Sequence, residues 1–162
     1  MADTAIDRTD KWCIFRYFLG NWTGVGTGKP GESSAERSYS LTLADQFLKI
    51  EGRSVYEPQD ANPSGEVHEE LGFISFDKGR SQYVLREFHV EGYVNQYVLE
   101  QEREDKTHFI FVTEAIENIA PGWRARTTIE ILAEDSFREI FDLAGPGNKW
   151  GCYITTEFQR VE

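Results

Sequence analysis

Apolar and polar residues alternate along most of this chain, and turn-forming residues interrupt the alternation at short intervals, as consecutive antiparallel strands require. Extended segments are expected over 36–43, 46–56, 67–77, 81–89, 93–101, 107–115, 123–132, 136–143 and 150–161. One stretch keeps another period: Trp12, Phe15 and Leu19 recur at three and four, Thr9 or Asp10 offers a cap, and Gly20 offers a stop. A short helix is therefore expected over about 6–20. It runs straight into Gly20-Asn21-Trp22-Thr23-Gly24-Val25-Gly26. Each glycine weakens a strand interior by roughly 0.5 to 1 kcal/mol, so Gly20, Gly24 and Gly26 on one face need a reason. The reason expected is close approach, with backbone or helix lying against a first strand while Trp22 fills the remaining space.

The connections decide how these strands pair. Segments 77–80, 90–92, 104–106, 134–135 and 145–148 are too short for crossover helices, so sequential neighbours must run antiparallel. With the glycine stretch this makes an all-β, ten-stranded up-and-down meander, and curling it shut removes its two exposed edges. A single domain is expected, a barrel over about 21–161 behind the short helix, with 57–65 and 117–122 as longer loops at its rim.

Composition narrows the partners. At 162 residues with 40% hydrophobic and 14% aromatic content, the chain suits one folded, strand-rich unit. A net charge of −11 with scattered Lys and Arg argues against a nucleic-acid or anionic-membrane surface. The start Met1-Ala2-Asp3-Thr4 lacks signal-peptide character, and a cytoplasmic protein with no membrane span is expected. Cys13 and Cys152 belong to no CxxC pair and are expected to be reduced, largely buried thiols. The three histidines, His68, His89 and His108, sit on different strands with no metal-ligand spacing, so no metal site is expected from them. His89 and His108 are expected at solvated strand ends.

Strand faces supply the candidate site. His68, Glu70, Gly72, Ile74 and Phe76 share one face, which makes His68 and Glu70 candidates for contact with a ligand and for acid–base chemistry. Over 81–89 neither face is free of polar atoms, and Arg86 is a candidate anchor for a carboxylate. Tyr93, Asn95, Tyr97 and Leu99 share a face that suits either a pocket lining or the surface of a homodimer. Over 123–132 the set Ala125, Thr127, Ile129 and Ile131 is the inward one; Arg126, if inside, needs an acid such as Glu70 or Glu139. No GxSxG, HExxH or phosphate-loop motif is present.

Two motifs carry a family resemblance. Gly20, Trp22, Gly24 and Gly26 form GxWxGxG, and His68-Glu69-Glu70-Leu71-Gly72-Phe73 forms HxExG followed by an aromatic. The chain thereby resembles the calycin barrels of the lipocalin and fatty-acid-binding group, and more narrowly the nitrobindin-like haem-binding barrels. That resemblance implies a ten-stranded barrel with haem b at one mouth, held by a last-strand histidine, and NO binding or peroxynitrite isomerisation. Tyr153 stands where that histidine falls, with Phe158 and Arg160 completing the family's spacing. Three functions follow as expectations. One is a barrel holding a small apolar or amphipathic ligand, haem or a fatty acid; another is an enzyme of haem or acid–base type. The third is a barrel filled by Phe73, Phe76, Phe111 and Phe141 that works through its surface.

Overall fold

The computed structural model describes residues 10–100 and 106–162, and its strands hydrogen-bond in one closed ring. They are β1 (Gly20–Gly28), β2 (Ser33–Thr42), β3 (Phe47–Tyr56), β4 (Glu66–Asp77), β5 (Gln82–His89), β6 (Val94–Leu99), β7 (His108–Glu117), β8 (Arg124–Ala133), β9 (Ser136–Ala144) and β10 (Gly151–Arg160). Each strand pairs antiparallel with its sequence neighbours, and β1 with β10 closes the ring. This is the all-β, ten-stranded up-and-down barrel that the alternation predicts.

The expected helix is shorter and tighter than predicted. Cys13–Phe18 form a six-residue 3-10 helix, while 6–9 lie outside the described residues. The side chains explain the geometry, because Trp12, Phe15 and Phe18 recur every three residues and three residues per turn put them on one face. All three are buried. Phe18 is therefore the third anchor, where the sequence pattern points to Leu19. Gly20, at φ +115°, turns the chain into β1.

This helix plugs one end of the barrel. Trp12 Nε1 donates to Asp45 O at 2.7 Å and Tyr17 Oη donates to Ser136 O at 2.9 Å, tying the plug to the β2–β3 and β8–β9 turns. Phe15 stacks on Phe111 and Phe18 meets Phe109 and Phe137 edge-on, in a cluster that fills that half of the lumen. Trp22 Nε1 donates to Phe18 O at 2.7 Å, so the tryptophan both packs and satisfies a buried donor.

The glycine face is used by β10. The register sets Trp22 opposite Arg160, Gly24 opposite Phe158 and Gly26 opposite Thr156. A Cβ on Gly24 would lie 2.5 Å from Glu157 O and 2.9 Å from Phe158 Cδ1. Arg160 Cζ sits 4.2 Å from the Trp22 ring, and its Nη1 donates to Leu19 O at 2.9 Å. The close approach is to the closing strand at Gly24, while a Cβ on Gly26 would meet Ser33 Oγ of β2 at 2.5 Å before Thr156 Oγ1 of β10 at 3.2 Å.

Candidate functional site

The half of the barrel away from the plug holds a cavity of about 630 Å³. Its floor is built by polar residues at mid-strand whose parity turns them inward. Arg37 lies between the buried Ala35 and Tyr39 on β2, and Glu70, Glu87 and Glu139 face it from β4, β5 and β9. Arg37 Nη2 is 2.7 Å from Glu70 Oε1, and Nη1 and Nη2 donate to Glu139 at 2.8 and 3.1 Å. Gly52, opposite Glu70 on β3, makes room for this, since a Cβ there would fall 2.5 Å from Glu70 Oε1.

The walls are mixed and the mouth is aromatic. Tyr56, Tyr93, Ile119, Trp123, Phe141 and Tyr153 surround the upper cavity. A shift of register between Cys152 and Ile154 bulges β10 and brings both Tyr153 and Ile154 to the lining. The same bulge leaves Cys152 exposed, and Cys13 is only partly buried, so the expectation of two buried thiols is corrected.

Burial and charge set the protonation of the floor. Burial disfavours the charge on Arg37, but Glu139 and Glu70 outweigh it and hold the guanidinium firmly ionised. Burial acts to raise Glu70, yet Arg37 and then His68 hold its carboxyl below the usual range. On Glu87 burial and the charges of Glu70 and Glu139 outweigh the opposing pull of Arg37 and push it up to about 8. Hydrogen bonding to Glu70 raises His68 to about 9 against its own burial, with Glu91 adding to the effect, whereas burial lowers His89. His68 and Glu70 therefore form an ion pair, and the carboxyl nearest to neutral titration is Glu87.

Glu87 makes stability depend on pH in a predictable direction. Below its ordinary value of 4.5 both folded and unfolded chains are protonated and nothing is lost. Between 4.5 and about 8 only the unfolded chain releases the proton, so stability falls as pH rises. Glu87→Gln stays neutral throughout, and its stability relative to the parent is expected to rise by about 2 to 4 kcal/mol across that window. Urea unfolding at pH 4.5 and pH 8 measures the difference between the two proteins.

Of the candidates read from sequence, His68, Glu70, Tyr93 and Tyr153 line the cavity. Tyr97 does not: it is fully buried beneath the floor, where Asn95 Nδ2 donates to its hydroxyl at 3.0 Å. Arg86 is exposed on the outer face, bonded to Gln96 Oε1 at 3.1 Å. Arg126 also lies outside, because β8 turns Ala125 and Thr127 inward; it pairs with Asp142 at 2.7 Å and lies 4.6 Å from the Trp150 ring. Phe111 fills the plugged half and Phe141 lines the cavity, so the aromatic residues fill only part of the lumen.

Arg37, Glu87, His89 and Glu91 also line the cavity, beyond the candidates that the sequence pattern indicates. Parity carries a signal for two of them: Arg37 falls in step with Ala35 and Tyr39, and Glu87 with Leu85 and His89. His89, expected at a solvated turn, stands opposite Glu70 in the β4–β5 register and only 3.4 Å from His68. Spacing along the chain conceals what that pairing brings together.

The closed ten-stranded antiparallel barrel, plugged at one end and hollow at the other, resembles lipocalin-like barrels in architecture. Rv2717c from M. tuberculosis superposes with a TM-score of 0.68 at 16% identity, covering 93% of this chain and 97% of that one. The S-type phycobiliprotein lyase CPES from Guillardia theta gives 0.54 at 9% identity, covering 91% and 90%. These likenesses show the fold. No protein-family model matches the sequence, and a search of curated proteins gives no match.

Proposed function

We propose that the barrel binds a small amphipathic ligand whose polar end, neutral or positively charged, enters first and rests on the Arg37–Glu70–Glu87–Glu139 floor. The observation that carries this reading is a cavity of about 630 Å³, within the range of small-molecule sites, with charge at the bottom and Trp123, Phe141 and Tyr93 at the top. The polarity of the head group follows from the charges. Arg37, the guanidinium of the floor, is already held by two carboxylates. A fatty-acid carboxylate placed there meets like charge, and the cations among the described lining residues, Arg37 and His68, are already paired with carboxylates.

A matched pair of probes tests the head-group preference. 1-Aminoanthracene and anthracene-1-carboxylate share a ring system and differ at the polar end. The amine is expected to bind at least about tenfold more tightly, a difference of roughly 1.4 kcal/mol. Equal affinity, or preference for the carboxylate, sinks this assignment of the floor.

The narrower reading, nitrobindin-like haem chemistry, rests on the GxWxGxG and HxExG motifs. The residue at the ligand position does not fit it. An axial tyrosinate needs a lowered pKa, and Tyr153 is pushed up instead, by burial and then by Glu66 and Glu91. Haem propionates also meet the same acidic lining. Any spectrum obtained with haemin is expected to be unchanged by Tyr153→Phe; a Soret shift in that variant restores Tyr153 as a ligand.

A further inference from the structure

We propose that His68, His89 and Glu70 bind one divalent transition-metal ion at the cavity wall, with Glu91 and Glu87 supporting the two imidazoles from behind. This goes beyond the amphiphile reading and does not depend on it.

The donor atoms already stand at coordination spacing. His68 Nε2 lies 3.4 Å from His89 Nδ1 and 3.4 Å from Glu70 Oε2, and the third edge, His89 Nδ1 to Glu70 Oε2, is 3.9 Å. Around a tetrahedral ion with bonds of about 2.0 to 2.1 Å, donors sit roughly 3.3 to 3.4 Å apart. Two edges meet that value and the third closes with a half-ångström movement of a side chain. His68, His89 and Glu91 also bring donor atoms within 4.8 Å of one another.

One imidazole has the outer partner that a metal-bound histidine needs, and the other faces a carboxyl just beyond hydrogen-bond reach. A ligating histidine donates its other ring N–H to a carboxylate, which fixes the ring and raises its basicity. His68 Nδ1 is 2.7 Å from Glu91 Oε1, too short to admit an ion and right for that hydrogen bond. On the other imidazole, His89 Nε2 is buried with no hydrogen-bond partner, and Glu87 Oε2 is the carboxyl oxygen facing it at 3.7 Å. Glu70 is oriented in turn, because Arg37 engages Oε1 and leaves Oε2 to the histidines.

Sequence order obscures the site because its ligands come from two strands. His68 and Glu70 are two apart on β4 and so share the inward face. His89 ends β5 directly opposite Glu70. Two imidazoles and one carboxylate make a set suited to zinc and its first-row neighbours, and one that leaves a coordination position open. All three residues line the cavity, so that position is turned toward whatever enters the lumen.

Cobalt(II) titration of chelator-treated, full-length protein tests the proposal, with zinc(II) as competitor. One equivalent is expected to bind, give visible d–d absorption and be displaced by zinc. His89→Ala is expected to lower the affinity by at least about tenfold, and Glu91→Gln by about tenfold, as loss of an outer carboxylate does. The wild-type protein alone gives an independent answer by NMR. Cobalt is expected to shift or broaden the ring protons of His68 and His89 while those of His108, on β7, stay sharp. Absence of saturable binding, or binding that leaves the His68 and His89 rings undisturbed, overturns the proposal. Running the anthracene titrations in chelator keeps the two readings separate, since the amphiphile reading needs no ion.

Discussion

Arg37→Met is expected to destabilise the folded chain by about 3 to 5 kcal/mol at pH 7, the cost of breaking a buried ion pair by removing one partner. The guanidinium is nearly inaccessible, with 9% of its side chain exposed, and lies between Glu70 at 2.7 Å and Glu139 at 2.8 Å. Deleting it leaves two carboxylates facing each other across a floor that Glu87 shares. Each then rises in pKa, so the penalty shrinks as pH falls and the acids take up protons. Adding Glu139→Gln to the variant is expected to recover part of the loss, because it removes one of the stranded charges. Chemical unfolding of the three proteins at pH 7 and pH 4.5 gives the comparison. A loss below about 1 kcal/mol at pH 7 means that the triad is hydrated and that the floor is not a buried charge layer.

Gly24→Val is expected to cost about 3 kcal/mol or more, at the upper end of overpacking penalties. A Cβ at Gly24 falls 2.5 Å from a backbone oxygen of β10 as well as 2.9 Å from Phe158, and backbone does not yield as a flexible side chain does. The substitution therefore strikes the β1–β10 ladder that closes the ring. Gly72, the glycine of the HxExG motif, is the control. A Cβ there has neighbours no nearer than 3.4 Å, so Gly72→Ala is expected to be close to neutral. On the scale of 2 to 4 °C per kcal/mol for a domain of this size, Gly24→Val lowers the thermal midpoint by roughly 6 to 12 °C. Equal midpoints for the two variants contradict the closure role of the first motif.

The contrast between these glycines shows why the fold was more open to reading than the site. Strand alternation, short connections and the Gly20–Gly26 face each report on backbone, and all point to the same closed meander. The helix is shorter than the pattern predicts because Leu19 fits an α period while Phe18 fits the three-residue turn that the plug uses. The site depends on register and on parity within single strands, which are weaker signals. On β5 the alternation is blurred, since Val84 and Leu85, on opposite faces, are both nearly fully buried. Arg86 was therefore an open candidate, and the inward residue proved to be Glu87. On β8 the apolar set is clear and Ala125 and Thr127 face inward as it predicts, and the partner of Arg126 is Asp142 across the β8–β9 ladder. His89 needed the β4–β5 register to join His68.

The claim that one half of the barrel is plugged and the other is an open ligand site is tested most directly by filling it. Ala125 is fully buried and lines the cavity from β8, so Ala125→Phe places a ring where the ligand is expected to sit. Titration with 1-aminoanthracene is predicted to give one saturable site in the parent protein and none in Ala125→Phe, with circular dichroism showing the strands intact in both. Failure of the parent to bind, or equal binding by the filled variant, contradicts the account.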